Sequence, residues 1–204
     1  MRVVFLGKPM SGKGTQADLL ARRLRLAHVS TGDLLREEAR KQSPLGKKAM
    51  SYMIRGALVP DALTFAVLRS RLPKKGFILD GFPRTVTQAK VLDKIARIDL
   101  VIDVHCTDAT VIKRMLARRI CADCGAIYGL DIRPKVQGIC DRCGGALLQR
   151  ADDTKNTIRQ RLKVYTKETS PLAHYYTKNY FSVDGDAAIA QVQQKIMRKI
   201  ETIK

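Results

Sequence analysis

The sequence predicts an α/β protein: a three-layer sandwich in which a central parallel sheet lies between helices, with two small inserts. Short apolar segments rich in Val, Ile, Leu and Phe alternate with longer segments of helical periodicity, as in successive βαβ units. The first apolar segment, VVFL, runs directly into the glycine-rich stretch GKPMSGKGTQ and then into a helix. The alternation fails in two places, which are therefore predicted to be inserts.

The predicted elements follow one another along the whole chain. Strands are predicted at 3–6, 77–80, 100–105 and 180–184, where the apolar runs are short, as in buried parallel strands. Helices are predicted at about 13–24, 33–41, 61–72, 85–94, 108–120, 154–168 and 187–201. Pro and Gly punctuate 43–60, and between 121 and 150 Cys and Gly replace the helical pattern. We expect a core of residues 1–29, 60–120 and 154–204, with inserts at 30–59 and 121–153.

The composition fits one globular domain with an unusually basic surface. The 204 residues are 45% hydrophobic, and no apolar run is long enough to span a membrane. Only VVFL follows Arg2, too short for the apolar region of a signal peptide, so we expect a cytoplasmic protein. The net charge of +19 attracts polyanions. Because the basic residues are scattered along the chain, a solvated surface and weak, salt-sensitive adhesion to nucleic acid both stay open.

The stretch GKPMSGKGT (7–15) is predicted to bind phosphate groups. Gly7, Gly12 and Lys13 match the pattern G-x-x-x-x-G-K-[ST], but Gly14 stands where a hydroxyl is expected and Thr15 follows one residue later. Glycines let backbone N–H groups approach phosphate oxygens, and the following helix points its positive end at them. Lys13 would reach the β- and γ-phosphates. The alternative is a turn that only joins a strand to a helix.

The order GKGT followed by Gln16 resembles the loop of the nucleoside monophosphate kinases, and of the adenylate kinase family in particular. Lys8 and Met10 depart from that family, which usually has a small residue and a glycine there. Met10 would be strained if its backbone needs a positive φ. The resemblance makes this a P-loop protein and implies that the loop binds ATP through Met10, Ser11, Gly12, Lys13, Gly14 and Thr15.

STGDLLR (30–36) is predicted to begin a helix, with Thr31 as its N-cap and Asp33 in its first turn. Taken alone, it fits an ordinary capped helix with a surface arginine. Together with GALVPD (56–61), it resembles the AMP site of the adenylate kinases. The resemblance implies that AMP contacts Thr31 and Arg36, and that the adenine is lined by the backbone of Ala57, Leu58 and Val59.

LDGFPRTVTQA (79–89) is the most specific string in the sequence. Asp80 ends a predicted strand, at the sheet edge where α/β proteins bind ligands, and Arg84 offers a planar fork for phosphate. The residues alone leave a structural turn and a functional site both open. The string resembles the AMP clamp of the family, and Asp80 resembles the carboxylate near the water shell of Mg²⁺. The implied AMP ligands are Gly81, Phe82, Pro83, Arg84 and Gln88.

Further arginines occur in the second half of the chain. Arg114 and Arg118 are four residues apart and are predicted to share a helix face, which by itself fits a solvated surface. In QRADD (149–153) the two aspartates precede a helix whose N-terminus they could stabilise. The resemblance implies ATP contacts for Arg114, Arg118 and, near the adenine, Ala187. It also implies that Arg150 and Arg161 reach AMP and the transferring phosphates.

The second insert contains CADC (121–124) and CDRC (140–143), two C-x-x-C pairs that predict a tetrathiolate zinc site. The predicted ligands are Cys121, Cys124, Cys140 and Cys143; unbound cysteines, disulfides or iron in the same ligands are the alternatives. Such a closed coordination shell would be structural. The insert resembles the zinc-bearing LID of bacterial adenylate kinases, and Ile127 and Tyr128 resemble the residues that cover the adenine of ATP. Gly129 and a shortened 131–135 depart from the family, and Cys106 is predicted to be a buried free thiol.

The resemblance runs from residue 1 to about 187 and implies reversible phosphoryl transfer from MgATP to AMP, giving two ADP. In that interpretation 30–59 is the NMP-binding insert and 121–153 is the LID, and both close to exclude water. The implied cofactors are Mg²⁺ with ATP and a structural Zn²⁺. We expect a monomer with no obligate protein partner and no membrane association. The implied catalytic residues are Lys13, Arg84, Arg118, Arg150 and Arg161.

Two other functions are kept as alternatives. A GTP:AMP phosphotransferase would have the same fold, because the choice of donor depends on a few contacts near 127–128 and 187. A basic zinc-ribbon protein that binds nucleic acid and hydrolyses nucleotides is a different class, suggested by the net charge and the cysteine pairs. Against it, only 5% of residues are aromatic and Trp is absent, so a base-stacking platform is not predicted.

Overall fold

The computed structural model describes residues 1–203 and contains a five-stranded parallel sheet. In chain order the strands are β1 (Arg2–Leu6), β2 (Ala27–Ser30), β3 (Phe77–Asp80), β4 (Leu100–His105), β5 (Arg119–Cys121), β6 (Ile127–Tyr128), β7 (Leu147–Leu148) and β8 (Tyr180–Asp184). The central sheet has the order β2-β3-β1-β4-β8, and every neighbouring pair is parallel. The four predicted core strands are confirmed, and β2 is an additional edge strand.

Helices cover both faces of this sheet. In chain order they are α1 (Lys13–Leu24), α2 (Thr31–Arg40), α3 (Pro44–Ile54), α4 (Asp61–Arg69), α5 (Val86–Ile95), α6 (Asp108–Ala117), α7 (Lys155–Val164), α8 (Leu172–Tyr175) and α9 (Ile189–Glu201). Alternate residues of β1 enter different cores: Val4 packs with Leu92 and Leu172, whereas Phe5 packs with Leu20 and others. Each core buries its apolar side chains almost completely, so the predicted three-layer sandwich is confirmed.

Helix boundaries differ from the sequence prediction at two functional stretches. Ser30, not Thr31, caps α2, because its Oγ accepts a hydrogen bond from Asp33 N at 3.4 Å. The prediction of Thr31 as the N-cap is therefore wrong, and Thr31 is the first helical residue. Helix α6 ends at Ala117, and Arg118 has extended dihedrals (φ −63°, ψ 133°). The prediction that Arg114 and Arg118 share a helix face is therefore wrong, because Arg118 lies beyond the helix and leads into β5.

The two inserts have their own small structures. In the first, α3 begins at Pro44 with Ser43 as N-cap and packs against α2 around Met53 and Leu35. The sequence pattern predicts no helix within 43–60, because Pro and Gly interrupt the helical periodicity there. The second insert is a three-stranded antiparallel sheet in the order β6-β5-β7, with the cysteine pairs in the turns beside it. Cys106, just after β4, is buried and free as predicted.

Candidate active site

A cavity of about 830 Å³ opens at the carboxyl ends of the central strands. Its walls come from the loop after β1, the strand end at Asp80, the first insert and the second insert. Nearly all the predicted nucleotide ligands line it: Met10, Ser11, Gly12, Lys13, Gly14, Thr15, Thr31, Arg36, Ala57, Leu58, Val59, Asp80, Gly81, Pro83, Arg84, Gln88, Arg114, Arg118, Ile127, Tyr128, Arg150, Arg161 and Ala187. The fold thus gathers side chains separated by up to 177 residues into one cavity.

Phe82 is the exception among the predicted nucleotide ligands. Its side chain is fully buried in the core beneath the cavity and packs edge-to-face on Phe65 with ring centroids 5.4 Å apart. Its role in the fold is to anchor the turn that carries Gly81 and Arg84. The string DGFPR therefore combines one core anchor with residues that face the cavity.

The loop between β1 and α1 has the backbone of a phosphate cradle. Gly7 and Gly12 have φ of 140° and 95°, and Gly12 is the N-cap of α1. Met10 also has a positive φ, 67°, so the strain expected from the sequence is present. Ser11 N donates to Lys8 O at 3.2 Å, which closes the loop. Such a loop presents backbone N–H groups to an anion together with the positive end of α1.

Lys13 and Asp80 face the same part of the cavity. Lys13 Nζ donates to Lys8 O at 3.3 Å. Burial is the main cause that lowers the pKa of Lys13; Asp80 opposes the shift, and Arg84, Arg118 and Arg161 add to it. Two buried oxygens, Ser11 Oγ and Asp80 Oδ1, have no hydrogen-bond partner among residues 1–203. Unpaired buried oxygens beside a lysine fit a site that receives a phosphate with a hydrated cation.

Hydrogen bonds tie the start of α2 to the turn after β3. Thr31 Oγ1 donates to Gly81 O at 2.8 Å. Arg84 Nε donates to the same carbonyl at 2.9 Å, and its backbone N–H donates to Gln88 Oε1 at 2.8 Å. These bonds place Thr31, Arg84 and Gln88 side by side at one end of the cavity.

Gln88 is also held from the opposite side. Its Nε2 donates to Asp61 Oδ1 at 2.6 Å, so both ends of the amide have partners. Asp61 begins α4 and belongs to the GALVPD string, which the sequence linked to the first insert. No motif in the sequence marks Asp61 as a site residue, and its contact with Gln88 fixes which way the amide points.

Five arginines meet where the two inserts approach each other: Arg36, Arg84, Arg118, Arg150 and Arg161. Arg118 pairs with Asp153 and Arg161 with Asp152, and both aspartates are buried. Arg36 Nη1 lies 3.5 Å from Asp152, and Arg150 Nη2 lies 3.3 Å from Asp33, so both contacts join the first insert to the second. The residue that caps the start of helix α7 is Thr154, not one of the two aspartates. Asp152 and Asp153 therefore pair with arginines and do not cap this helix.

The pKa values of the cluster reflect crowding of like charges in a poorly solvated space. Burial first, and then Arg161, lowers the pKa of Arg84 to about 10. Burial, Arg36 and Arg118 lower that of Arg150 to about 9. Burial alone would raise the pKa of Asp33, but Arg36 and Arg150 lower it to about 2. Both lowered values lie above neutral pH, so Arg84 and Arg150 keep a charge that favours a polyanion.

Arg114 connects the phosphate loop to the second insert. Its Nη1 donates to Ser11 O at 3.2 Å, and Nη2 lies 3.4 Å from the carboxylate of Asp131. Asp131 and Ile132 line the cavity beside Ile127 and Tyr128, so the shortened stretch 131–135, which departs from the family pattern, contributes to the site.

The four cysteines of the second insert form one cluster. Their Sγ atoms all lie within 4.8 Å of one another, with Cys121 to Cys143 at 3.4 Å and Cys124 to Cys140 at 3.6 Å. A tetrahedral zinc tetrathiolate needs sulfur separations of about 3.8 Å, so the cluster has the ligand number and spacing for zinc. Tyr128 Oη lies 3.5 Å from Cys140 Sγ and accepts from Asp141 N at 2.8 Å. Tyr128 therefore lies between this cluster and the cavity.

A parallel sheet, a phosphate loop after its first strand and a cavity ringed by arginines define a P-loop nucleotide-binding protein. Comparison with known proteins specifies the family. The family model described as adenylate kinase matches residues 5–181. The chain is 43% identical over 212 residues to the adenylate kinase of Caldicellulosiruptor saccharolyticus, covering 98% of this chain and 99% of the relative. It is 44% identical to that of Archaeoglobus fulgidus over the full length of both, and 46% identical to that of Thermosipho africanus over 98% and 99%.

The chain belongs to the adenylate kinase family. It is an enzyme that transfers a phosphoryl group to a nucleoside monophosphate. None of the helices within residues 1–203 is long and apolar enough to cross a membrane.

Proposed function

We propose that this enzyme transfers the terminal phosphoryl group of MgATP to AMP and so gives two ADP, reversibly. The observation that carries the proposal is the meeting of the phosphate loop with five arginines from the core and both inserts in one cavity. Relatives of similar length along the whole chain are named adenylate kinases, which supports ATP and AMP as the nucleotide pair.

The donor and the acceptor are proposed to enter opposite ends of the cavity. ATP would place its phosphates on residues 10–15 and its adenine near Ile127, Tyr128 and Ala187. AMP would lie against Thr31, Arg36, the backbone at 57–59 and the turn at 81–88. The arginine cluster lies where the two sets of phosphates would meet, which supports the orientation.

The reaction needs charge stabilisation more than proton transfer. An oxygen of the AMP phosphate attacks the γ-phosphorus of ATP, the bond from that phosphorus to the β-γ bridging oxygen breaks, and ADP leaves. Because the attacking phosphate is already an anion, no general base is required. Lys13, Arg84, Arg118, Arg150 and Arg161 are proposed to neutralise the transferring group and to hold the two nucleotides in line.

The metal ions would have separate tasks. Mg²⁺ bound to ATP would neutralise phosphate charge, and the unpaired oxygen of Asp80 is suited to accept hydrogen bonds from its water shell. Zn²⁺ would hold the four thiolates in a closed, structural site. Metal analysis of the purified protein distinguishes zinc from iron in these ligands.

The division of the chain is also part of the proposal. Residues 1–29, 60–120 and 154–204 would form the core, 30–59 the NMP-binding insert and 121–153 the LID. Ion pairs from Arg36 to Asp152 and from Arg150 to Asp33 cross between the inserts, so closure over nucleotides would strengthen contacts that already exist. A closed cavity would exclude water and prevent hydrolysis of ATP.

The test is to incubate the protein with Mg²⁺, ATP and each of AMP, GMP, CMP and UMP, and to quantify the diphosphates. ADP from ATP and AMP alone is the expected result. A parallel set with GTP tests the GTP:AMP alternative, and activity with GTP alone would replace the proposed donor. Lys13→Ala and Arg84→Ala are each expected to lower kcat by at least ~10²-fold. Arg159→Ala and Lys195→Ala, exposed and outside the cavity, are the matched controls.

A further inference from the structure

The fold collects basic residues on the face opposite the active site. All five strands of the central sheet are parallel, so their amino ends meet at one edge while the cavity lies at the other. The register places Arg2 beside Phe77, Ala27 beside Phe77, Val3 beside Leu100 and Val101 beside Tyr180. The segments that enter these strands, and the helix ends that precede them, therefore lie along one edge.

We call this edge the amino face, and it consists of residues 1–2, 23–26, 69–76, 93–99, 177–179 and 198–203. It contains only three acidic residues, of which Asp99 accepts from Arg2 N at 2.7 Å and Asp93 accepts from Tyr175 Oη at 2.7 Å. The third, Glu201, is exposed. The face contains twelve basic residues: Arg2, Arg23, Arg25, Arg69, Arg71, Lys74, Lys75, Lys94, Arg97, Lys178, Arg198 and Lys199. Nearly half of the net charge of +19 thus lies on this one face.

Most of these cations are available to a partner. All but Arg2 and Lys199 are exposed, and Arg71 is the one that forms an ion pair within residues 1–203, with Glu37 at 3.2 Å. None of the twelve lines the catalytic cavity. Phosphoryl transfer in that cavity therefore gives no reason for their presence.

We propose that the amino face binds the phosphate backbone of nucleic acid without preference for sequence. Seven of the twelve cations are arginines, including Arg2, and their planar forks match phosphate oxygens. Five strands about 4.8 Å apart make the edge about 19 Å long. A duplex presents about eleven phosphates over that length. The twelve cations of the face are thus comparable in number to the phosphates that a duplex of this length presents.

The chemistry of the face favours nucleic acid over a membrane surface. Lasting attachment to a bilayer needs apolar side chains that insert as well as cations. Only Ile95 and Ile203 are large exposed hydrophobic residues on this face, and the chain has no Trp. The lack of exposed aromatic rings also excludes base stacking here, which explains why no sequence preference is proposed.

The experiment measures binding of the whole protein to a fluorescent 20-base-pair DNA and a single-stranded RNA of mixed sequence, between 50 and 200 mM salt. ATP without Mg²⁺ is present in excess, so that the arginines of the cavity are occupied. The test variant combines Arg25→Gln, Lys75→Gln and Arg97→Gln, three exposed cations that precede β2, β3 and β4. The control combines Lys113→Gln, Arg133→Gln and Arg159→Gln, which are equally exposed, lie elsewhere and remove the same charge.

The expected result is at least ~10-fold weaker binding for the test variant at 50 mM salt, with a slope of log K against log salt smaller by about 2–3. The control should change affinity by less than ~3-fold, and both variants should keep full phosphoryl-transfer activity and unfolding temperature. Equal losses in the two variants would overturn the proposal, because the charge would then act diffusely. It would also be overturned by no detectable binding of the unaltered protein at 50 mM salt, or by binding to phosphatidylserine vesicles in preference to both nucleic acids.

Discussion

Asp153 contacts Arg118 through both carboxylate oxygens, and its Oδ2 accepts from Arg118 Nε at 2.8 Å. Asp153 is buried, whereas the arginine reaches into the cavity. Arg118 is the C-cap of α6, where its backbone N–H donates to Arg114 O at 3.0 Å, and the aspartate orients its side chain. The geometry makes Asp153 a positioning residue for one of the proposed catalytic cations.

Replacing Asp153 with Asn is expected to lower both activity and stability. The amide keeps the size of the side chain but turns an N–H group toward the guanidinium and leaves a buried charge without its partner. Breaking a buried pair in this way costs about 3–5 kcal/mol, and displacing Arg118 should reduce kcat at least ~10-fold. Steady-state rates and urea unfolding measure the two effects. Glu201→Gln, an exposed acid on α9, is the control; unchanged kcat in Asp153→Asn would remove the positioning role.

Met10 offers a measurement of strain in the phosphate loop. Its φ of 67° is costly for any residue with a Cβ, while its side chain also packs beside Cys106 and Met115. Comparing Met10→Gly with Met10→Ala separates the two effects, because both lose the packing and only glycine relieves the backbone. We expect the glycine variant to have the higher free energy of unfolding, by about 1 kcal/mol in urea titrations. A more stable alanine variant would show that the loop is not strained at Met10.

The fold was predictable where burial dominates the local pattern. Strands β3 and β4 begin and end at the predicted residues because they are short runs of buried, mostly apolar residues. Strand β8 also matches its prediction, although only Val183 is buried, because Tyr180, Phe181 and Val183 are residue types that favour a strand. Strand β2 was not predicted, since Val29 is the one residue of this kind among its four residues. Helix α3 was missed because Pro44 and Gly46 punctuate its first turn, although proline at that position favours a helix start.

The candidate site was predictable in its membership but not in its pairings. Motifs located the loop, the arginines and the cysteines, because each motif keeps its residues close in sequence. The contact between Arg150 and Asp33 joins residues 117 positions apart, and no local spacing encodes it. The amino face is the same kind of case: its cations are scattered in sequence, and only the parallel topology brings them to one edge.

Tyr128 is expected to slow the loss of zinc from the cysteine cluster. Its hydroxyl lies 3.5 Å from Cys140 Sγ and is oriented by Asp141 N at 2.8 Å, so it can donate a hydrogen bond to the ligand sulfur. Removing a partner of this kind usually weakens metal binding 10–100-fold. We expect Tyr128→Phe to release zinc to a chromogenic chelator at least ~10-fold faster than the unaltered protein. Tyr175→Phe, whose hydroxyl contacts Asp93 far from the cysteines, should release it at the normal rate. Equal rates for all three would leave the hydroxyl without a role at the metal.

The ion pair between Arg150 and Asp33 should make stability depend on pH in acid. Burial raises the pKa of Asp33, but Arg36 and Arg150 outweigh it and lower that pKa to about 2, below its ordinary value of 3.8. A carboxylate with a lowered pKa stabilises the folded state above its unfolded pKa and loses that contribution as the pH falls toward the folded value. The difference in free energy of unfolding between the unaltered protein and Asp33→Asn should therefore be constant from about pH 7 to 5. It should shrink between about pH 4 and 2.

Arg150→Ala supplies the matched background for this measurement. When Arg150 is removed, only Arg36 still lowers the pKa of Asp33, so that pKa lies closer to its ordinary value. The change in free energy of unfolding caused by Asp33→Asn should then be smaller and should disappear at a higher pH. Urea titrations of the four proteins at several pH values give the coupling free energy between the two residues directly. A coupling of zero at pH 7 would mean that this contact between the two inserts does not stabilise the folded state. A coupling that grows on acidification would mean that it does not depend on the ionised carboxylate of Asp33.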